Sequence, residues 1–210
     1  MANSSTAKCK LCRREKTKLF LRGKRCETVR CAVERRPQMP GQHGAKRKRG
    51  RLTDYGLHLR EKQKIKRMYG LGERQFVRYF KKAVGQPGNT SENFLVLLET
   101  RLDNVLYNAG WATSRGQARQ FIAHGHIMVN NKRVSIASFN VKAGDVISPN
   151  KHELSQKLVV TWKDIAKKEL TPTWMKRKDD TKHIEIIQLP KLEDIAVPVN
   201  VQLVIEFASR

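Results

Sequence analysis

Apolar positions recur at helical spacing through much of the chain. In GERQFVRYFKKAV (72–84), Phe76, Val77, Phe80, Ala83 and Val84 fall on one face. GQPGNT (85–90) breaks the pattern. SENFLVLLETRLDNVLYNAG (91–110) resumes it, with Phe94, Leu95, Leu98, Leu102, Val105, Leu106 and Ala109 on the buried side. One helix is expected there, ended by Gly110. TDYGLHLREKQKIKRMYG (53–70) has a thinner stripe of Leu57, Ile65, Met68 and Tyr69, with Thr53 or Asp54 as cap and Gly70 at the far end. In TSRGQARQFIAHG (113–125), Ser114 is a helix cap with Gln117 three residues on, Ala118, Phe121 and Ile122 face inward, and Gly125 closes the helix.

The period then changes. HIMVNNKRVSI (126–136) reads as a hairpin, because Asn130-Asn131 tolerates the positive φ of a primed turn. VKAGDVI (141–147) reads as a further hairpin corner and strand. Residues 149–183 are polar and weakly patterned, with KLVVTW (157–162) read as a strand. VQLVIEF (201–207) reads as a strand or a packed tail. There is no internal repeat and no stretch of 18 apolar residues, so no membrane span is expected. MANSSTAK at the start has no apolar core of a secretory signal, so an intracellular, cytoplasmic protein is expected.

Charge changes the picture. The net charge is +24, which implies a polyanionic partner. Residues 1–82 hold 26 Lys and Arg against 6 Asp and Glu, and residues 83–210 hold 17 against 13. Most of the polyanion-binding charge thus lies in the first part. In 53–70, Arg60, Lys62, Lys64, Lys66 and Arg67 are offset on the same helix mainly by Glu61, so a phosphate-facing surface is expected. Tyr55 is either a base-stacking residue or a packing anchor at the helix start. ERRPQMPGQHGAKRKRGRL (34–52) reads as an extended loop held by its partner, and its arginines fit phosphate oxygens. His43 within it is a loop histidine that contacts RNA or its own backbone. Residues 113–133 carry Arg115, Arg119, His124, His126, Lys132 and Arg133 and no acid, a second cationic surface.

All four cysteines lie in one basic segment as Cys9-x2-Cys12-x13-Cys26-x4-Cys31. Two close pairs across a short loop is the spacing of a four-thiolate metal site. Neighbouring cations are expected to lower the thiol pKa values. With only Leu11, Leu19, Phe20 and Leu21 as sizeable apolar residues before Cys26, the segment buries little by itself, and metal ligation would order it. Structural zinc is the first reading. An iron–sulfur cluster on the same thiols, disulfides and free thiols are the alternatives.

CKLCRRE, CAVERRPQMPGQHG, LREKQKIKRMYGLGERQF, LLETRLDNVLYNAGWATSRGQARQFIAHGHIMVNNKRV and PVNVQLVIEFASR resemble, in order and spacing, the bacterial small-subunit ribosomal protein S-four family. The likeness runs from about residue 8 to residue 210 and is weak over 149–183. The resemblance implies an α+β protein. A mainly helical first domain carries an N-terminal metal knuckle, and a small RNA-binding module packs a helix-turn-helix on a short, mostly antiparallel sheet. The implied division is 1–50 for the knuckle and basic extension, 51–97 plus about 175–210 for the helical rRNA-binding domain, and 98–174 for the module. The four cysteines match the family's metal-binding branch at every position.

The implied function is that of a structural constituent of the small ribosomal subunit. Such a protein binds the 5-prime domain of small-subunit rRNA first and nucleates assembly of the subunit body. The resemblance also implies a neighbour, small-subunit protein S-five, whose interface bears on translational accuracy, and a place near the messenger RNA where it enters the subunit. RNA contacts are expected from Arg35, Arg36, His43, Arg47, Arg49, Arg51, Tyr55, Arg60, Lys62, Lys66 and Arg67, and in the module from Arg115, Gln117, Arg119, His124, Lys132 and Arg133. Two alternatives remain. Arg101-Leu102-Asp103 resembles a motif of RNA-modifying pseudouridine synthases, whose Asp is catalytic, although a helix-capping or salt-bridging Asp is the plainer reading. A free RNA chaperone would share the charge and the module.

Overall fold

The structure is a computed structural model that describes residues 7–42, 44, 53–166, 172–178, 182–195 and 197–209. The fold is α+β, and the chain divides into two compact units, Met1–Ser91 with Val197–Arg210, and Glu92–Ala196.

The described part of the first unit is helical. It contains α1 (Lys8–Glu15), a 3-10 turn at Gly23–Cys26, α2 (Ala32–Arg35), α3 (Asp54–Met68), α4 (Glu73–Val84) and, after the second unit, a closing helix. The Thr53 hydroxyl caps α3 by accepting from the Gly56 N–H at 3.2 Å. Gly70 follows with φ 61°, the left-handed conformation that ends a helix cleanly. In α4 the buried face is Phe76, Tyr79 and Ala83, whereas Val77 and Val84, expected inside, are exposed. The amphipathic ring of Tyr79 takes the inward place, so the stripe is rotated from the purely apolar one.

Residues 91–110 do not form one helix. They form α5 (Thr90–Glu99) and α6 (Leu102–Asn108), with Arg101 extended between them at φ −66°, ψ 135°. The break is held from outside. Leu102 N–H donates to the Phe139 carbonyl at 2.8 Å, and Val141 N–H donates to the Thr100 carbonyl at 2.9 Å. The first donors of α6 therefore find acceptors in the 137–141 loop and not in a continuing helix.

The second unit continues with α7 (Arg115–Ala123), β1 (Ile127–Val129), β2 (Lys132–Arg133), β3 (Val146–Pro149), α8 (Glu153–Ala166), β4 (Met175–Lys178) and β5 (His183–Ile186). The five strands form one antiparallel sheet in the order β2-β1-β3-β5-β4. The expected hairpin turn is present, with Asn130 at φ 48° and Asn131 at φ 62°. The core of this unit gathers Leu102, Val105 and Leu106 of α6, Ala118 and Ile122 of α7, Ile127, Ile147, Ile184 and Ile186 of the sheet, Val159 of α8, and Trp111 and Trp174.

Three expectations are corrected. KLVVTW lies inside α8, because the Ser155 and Val159 stripe buries at helical spacing and outweighs the β preference of Val159, Val160 and Thr161. VQLVIEF lies in the closing helix α9 (Val201–Ser209), which packs on α3. Its Phe207 ring stands 5.4 Å from Tyr55, its Glu206 pairs with His58 at 3.6 Å, and Asn200 N–H just before it donates to Glu61 at 3.0 Å. The return to the first unit was placed at about 175, but residues 175–178 and 183–186 pair into the second unit's sheet, and the return begins at Val197.

Candidate nucleic-acid interface

The basic amino-terminal segment is organised around its thiols. All four are free, and Cys12, Cys26 and Cys31 are buried. Together with Cys9 they line one small hollow with Leu21, Ala32 and Val33. Arg22 N–H points at the Cys26 sulfur at 3.4 Å. Burial pushes the Cys12 thiol up, and so does the mutual repulsion of the four sulfurs, while the Leu19 N–H opposes both. Burial likewise pushes Cys26 up. For Cys12 and Cys26 this corrects the expectation that neighbouring cations lower the thiol values, because desolvation is the largest influence on both. The donor set, four thiols on one apolar hollow, suits a soft divalent ion. As placed, no three His, Cys, Asp or Glu side chains among the described residues are drawn together into a ligand shell.

The amino-terminal segment is tied to α3 by a carboxylate that sequence reasoning missed. Glu15, at the end of α1, is buried and takes ion pairs from Arg67 and Arg60, the latter at 3.3 Å. Burial pushes the Glu15 carboxyl up against the attraction of both guanidiniums, and pushes Arg67 down. Desolvation thus opposes the charged forms of Glu15 and Arg67, the usual cost of a buried ion pair, while their attraction offsets it. Glu73 does the same for two lysines. Lys62 and Lys66 bond its two oxygens, Lys66 at 2.7 Å, and these bonds hold the Glu73 carboxyl below its ordinary range. Lys62 also lies 5.1 Å over the Phe207 ring. The expectation that mainly Glu61 offsets the α3 cations is therefore corrected. Glu15, 45 positions from Arg60 and 52 from Arg67 in sequence, is invisible to a helical wheel.

Tyr55 is 60% exposed, and its ring meets Phe207 at a tilt, so it is a packing contact that also remains open to solvent. Arg35 ends α2 and Arg36 follows it, both exposed. His43, Arg47, Arg49 and Arg51 lie outside the described residues.

In the second unit, the cationic residues of α7 are held in a polar network on α6. Arg119 grips Asp103 at 2.7 Å, and Arg101 grips the same carboxylate at 2.9 Å. Asp103 is 1% exposed and Arg101 2%. Arg115 donates to Asn104 Oδ1 at 2.7 Å and lies 4.6 Å over the Tyr107 ring. Asn104 in turn donates to Glu99 at 2.7 Å. Gln117 is committed locally, since its side-chain oxygen accepts from Thr113 N–H and Oγ at 2.8 Å while its own N–H donates to Ser114 at 3.3 Å. His124, Lys132 and Arg133 are exposed, and Arg133 donates to the His124 carbonyl at 3.3 Å.

Gly125 makes that last arrangement possible. Its φ is 76°, and a Cβ there would overlap the Arg133 guanidinium. Gly125→Ala is expected to lower the stability of the second unit by about 1–2 kcal/mol, the cost of a side chain in the left-handed region. It also displaces Arg133. Thermal unfolding and RNA affinity measured together check both effects.

These are two cationic surfaces, one on a helical unit and one on a helix–hairpin module, and they define a polyanion-binding protein. Comparison with known families agrees. The family described as Ribosomal protein S4/S9 N-terminal domain matches residues 4–99, and the family described as S4 domain matches residues 100–147. Proteins named small ribosomal subunit protein uS4 are similar over all of both chains. The one from Dictyoglomus turgidum is 48% identical over 213 residues, that from Halothermothrix orenii 47% over 210, and that from Solidesulfovibrio magneticus 46% over 210. The chain belongs to the bacterial uS4 family.

Proposed function

We propose that this chain is a structural constituent of the small ribosomal subunit and that it binds small-subunit rRNA. The full-length similarity to proteins named small ribosomal subunit protein uS4 carries the reading. Its place of action is the ribosome.

The finer proposal is that it binds the 5-prime domain of the rRNA early and fixes one junction of RNA helices. Helices that meet at a junction repel through their phosphates, and a first unit rich in Lys and Arg relieves that repulsion. Much of the affinity comes from phosphate contacts and counterion release, and selectivity comes from shape, because A-form major grooves are too narrow to read. The pairs on Glu15, Glu73 and Asp103 support this mode, since they hold cations in fixed positions suited to one backbone path. Contacts with a neighbouring small-subunit protein of the S-five family, which bear on accuracy, and with messenger RNA belong to the same proposal. Asp103 has no catalytic part in it, as its carboxylate is committed to two guanidiniums.

The amino-terminal knuckle is proposed to hold one structural zinc ion on Cys9, Cys12, Cys26 and Cys31. Four sulfurs on one hollow support this. An iron–sulfur cluster is the alternative occupant.

Hydroxyl-radical footprinting of the purified protein on small-subunit rRNA, at several salt concentrations, tests the reading. The expected result is compact protection at one multi-helix junction that survives moderate salt. Diffuse protection that vanishes with salt makes the chain a non-specific RNA chaperone.

A further inference from the structure

One corner of the second unit gathers three of the chain's six histidines beside an arginine. His124 ends α7, His126 precedes β1, His152 precedes α8, and Arg133 lies on β2. The His124 and His126 rings meet edge-on with centroids 5.9 Å apart. Arg133 is fastened to the His124 carbonyl at 3.3 Å, across the bare backbone of Gly125. His126 is half-buried, and its Nδ1 lies 3.0 Å from Oγ of Ser155, a buried residue of α8. Phe121 of α7 presents its edge to the same imidazole with centroids 6.1 Å apart. The other three members of the corner, His124, His152 and Arg133, are exposed.

We propose that Arg133, His124, His126 and His152 form a phosphodiester-binding corner that takes up a proton on His126 as RNA docks. The inference rests on the rRNA-binding reading and adds the ligand group and a proton linkage to it. Burial holds the free His126 imidazole below its ordinary range, and the charges of His124, Arg133 and His152 push it the same way. The free corner therefore disfavours the imidazolium form of His126. Glu153, the acid next to His152 in sequence, is occupied by Lys157 at 2.5 Å. A phosphate that enters the corner supplies the missing negative charge. It offsets the influence of these neighbours and favours the imidazolium. The Ser155 hydroxyl serves either state, since it donates to a bare Nδ1 and accepts from a protonated one.

The sign follows from linkage. RNA binding raises the His126 pKa, so between the free and bound values each complex takes up a proton. Affinity then falls as pH rises through that window, by up to about tenfold per pH unit for one proton. A structural His126 that merely anchors α8 produces no such slope.

The experiment uses full-length protein and a transcribed 5-prime domain of small-subunit rRNA at fixed ionic strength. Affinity is measured from pH 5.5 to 8, and the imidazole C–H resonance of His126 is titrated in free and RNA-bound wild-type protein. The expected result is an affinity loss of roughly five- to tenfold across the window, with a His126 midpoint at least about one unit higher in the complex. His126→Gln, with folding checked by circular dichroism, is expected to reduce the slope by about one proton. A His126 midpoint that does not move on binding overturns the proposal, whether or not the variant folds. So does a wild-type slope that persists in folded His126→Gln, which would belong to the RNA bases. No measurable binding at any pH overturns the rRNA reading itself, a separate outcome.

Discussion

Asp103→Ala destabilises the second unit by about 3–5 kcal/mol, the usual cost of removing one partner from a buried ion pair. Asp103 is almost wholly enclosed and serves two guanidiniums. Arg101 binds it through Nε at 3.1 Å and through a terminal nitrogen at 2.9 Å. Without the carboxylate, the buried Arg101 charge keeps its desolvation cost and loses that compensation. Arg119 is less enclosed and can turn to water, so most of the loss comes from Arg101. Against a typical domain stability of about 5–15 kcal/mol, this is a large fraction. Asp103→Asn keeps the shape and one acceptor, and is expected to lose less than the alanine variant. Urea unfolding, read with a probe in the second unit such as Trp111, measures the difference. RNA affinity is expected to fall in both variants, because Arg119 loses its placement. If Asp103→Asn leaves stability and binding intact but abolishes a base modification, the residue is catalytic after all. A stability loss below about 0.5 kcal/mol in the alanine variant would equally overturn the structural assignment.

Asp103 also shows how far a linear reading reaches. Its neighbours in Arg101-Leu102-Asp103 were visible, and helix capping or a salt bridge was the plainer expectation for it. The second guanidinium, Arg119, sits 16 positions on and enters only through the packing of α6 on α7. The same holds for Glu15 and Glu73. A helical wheel of 53–70 shows the cations of α3 but not the acids that other elements bring to them. Local signals were legible wherever a single chemistry decides them. The Thr53 and Ser114 caps, the Asn130-Asn131 turn and the left-handed Gly70 and Gly125 all follow from nearest neighbours. Tertiary context decided the rest. The break after Thr100 was hidden because the apolar stripe continues across it, while the acceptors that hold it lie in the 137–141 loop. KLVVTW was read as a strand and VQLVIEF as a strand or packed tail because each segment holds three β-branched residues, and burial of one stripe imposes a helix on both.

The consequence for recognition is a change of emphasis. Arg60, Lys62, Lys66, Arg67, Arg115 and Arg119 each have a fixed partner on the protein. A guanidinium or ammonium already oriented loses less side-chain entropy when it meets a phosphate. Such a surface suits one rigid RNA shape better than many flexible ones, and this favours a primary binder over a general chaperone.

The amino-terminal segment offers the largest single effect. Its helices are short, α1 with eight residues and α2 with four, and isolated helices of that length are not stable in water. Buried Leu19 and the thiols themselves make up much of its interior. If a zinc ion ties the four thiols, apparent ligation energies of about 10–16 kcal/mol order this segment, far more than its apolar contacts supply. The purified chain is then expected to carry one zinc per molecule by native mass spectrometry. Chelation is expected to abolish amide protection over 8–35 while α4 and the second unit keep theirs. Cys26→Ser should reproduce the chelated state, since one missing thiolate opens the shell. RNA affinity should fall as well, because Glu15 loses the frame that holds it against Arg60 and Arg67. Iron and sulfide in place of zinc would identify the cluster alternative. A metal-free chain whose residues 8–35 remain protected, and whose Cys26→Ser variant binds RNA unchanged, would mean that Leu19 and the Glu15 pairs hold the knuckle without a metal.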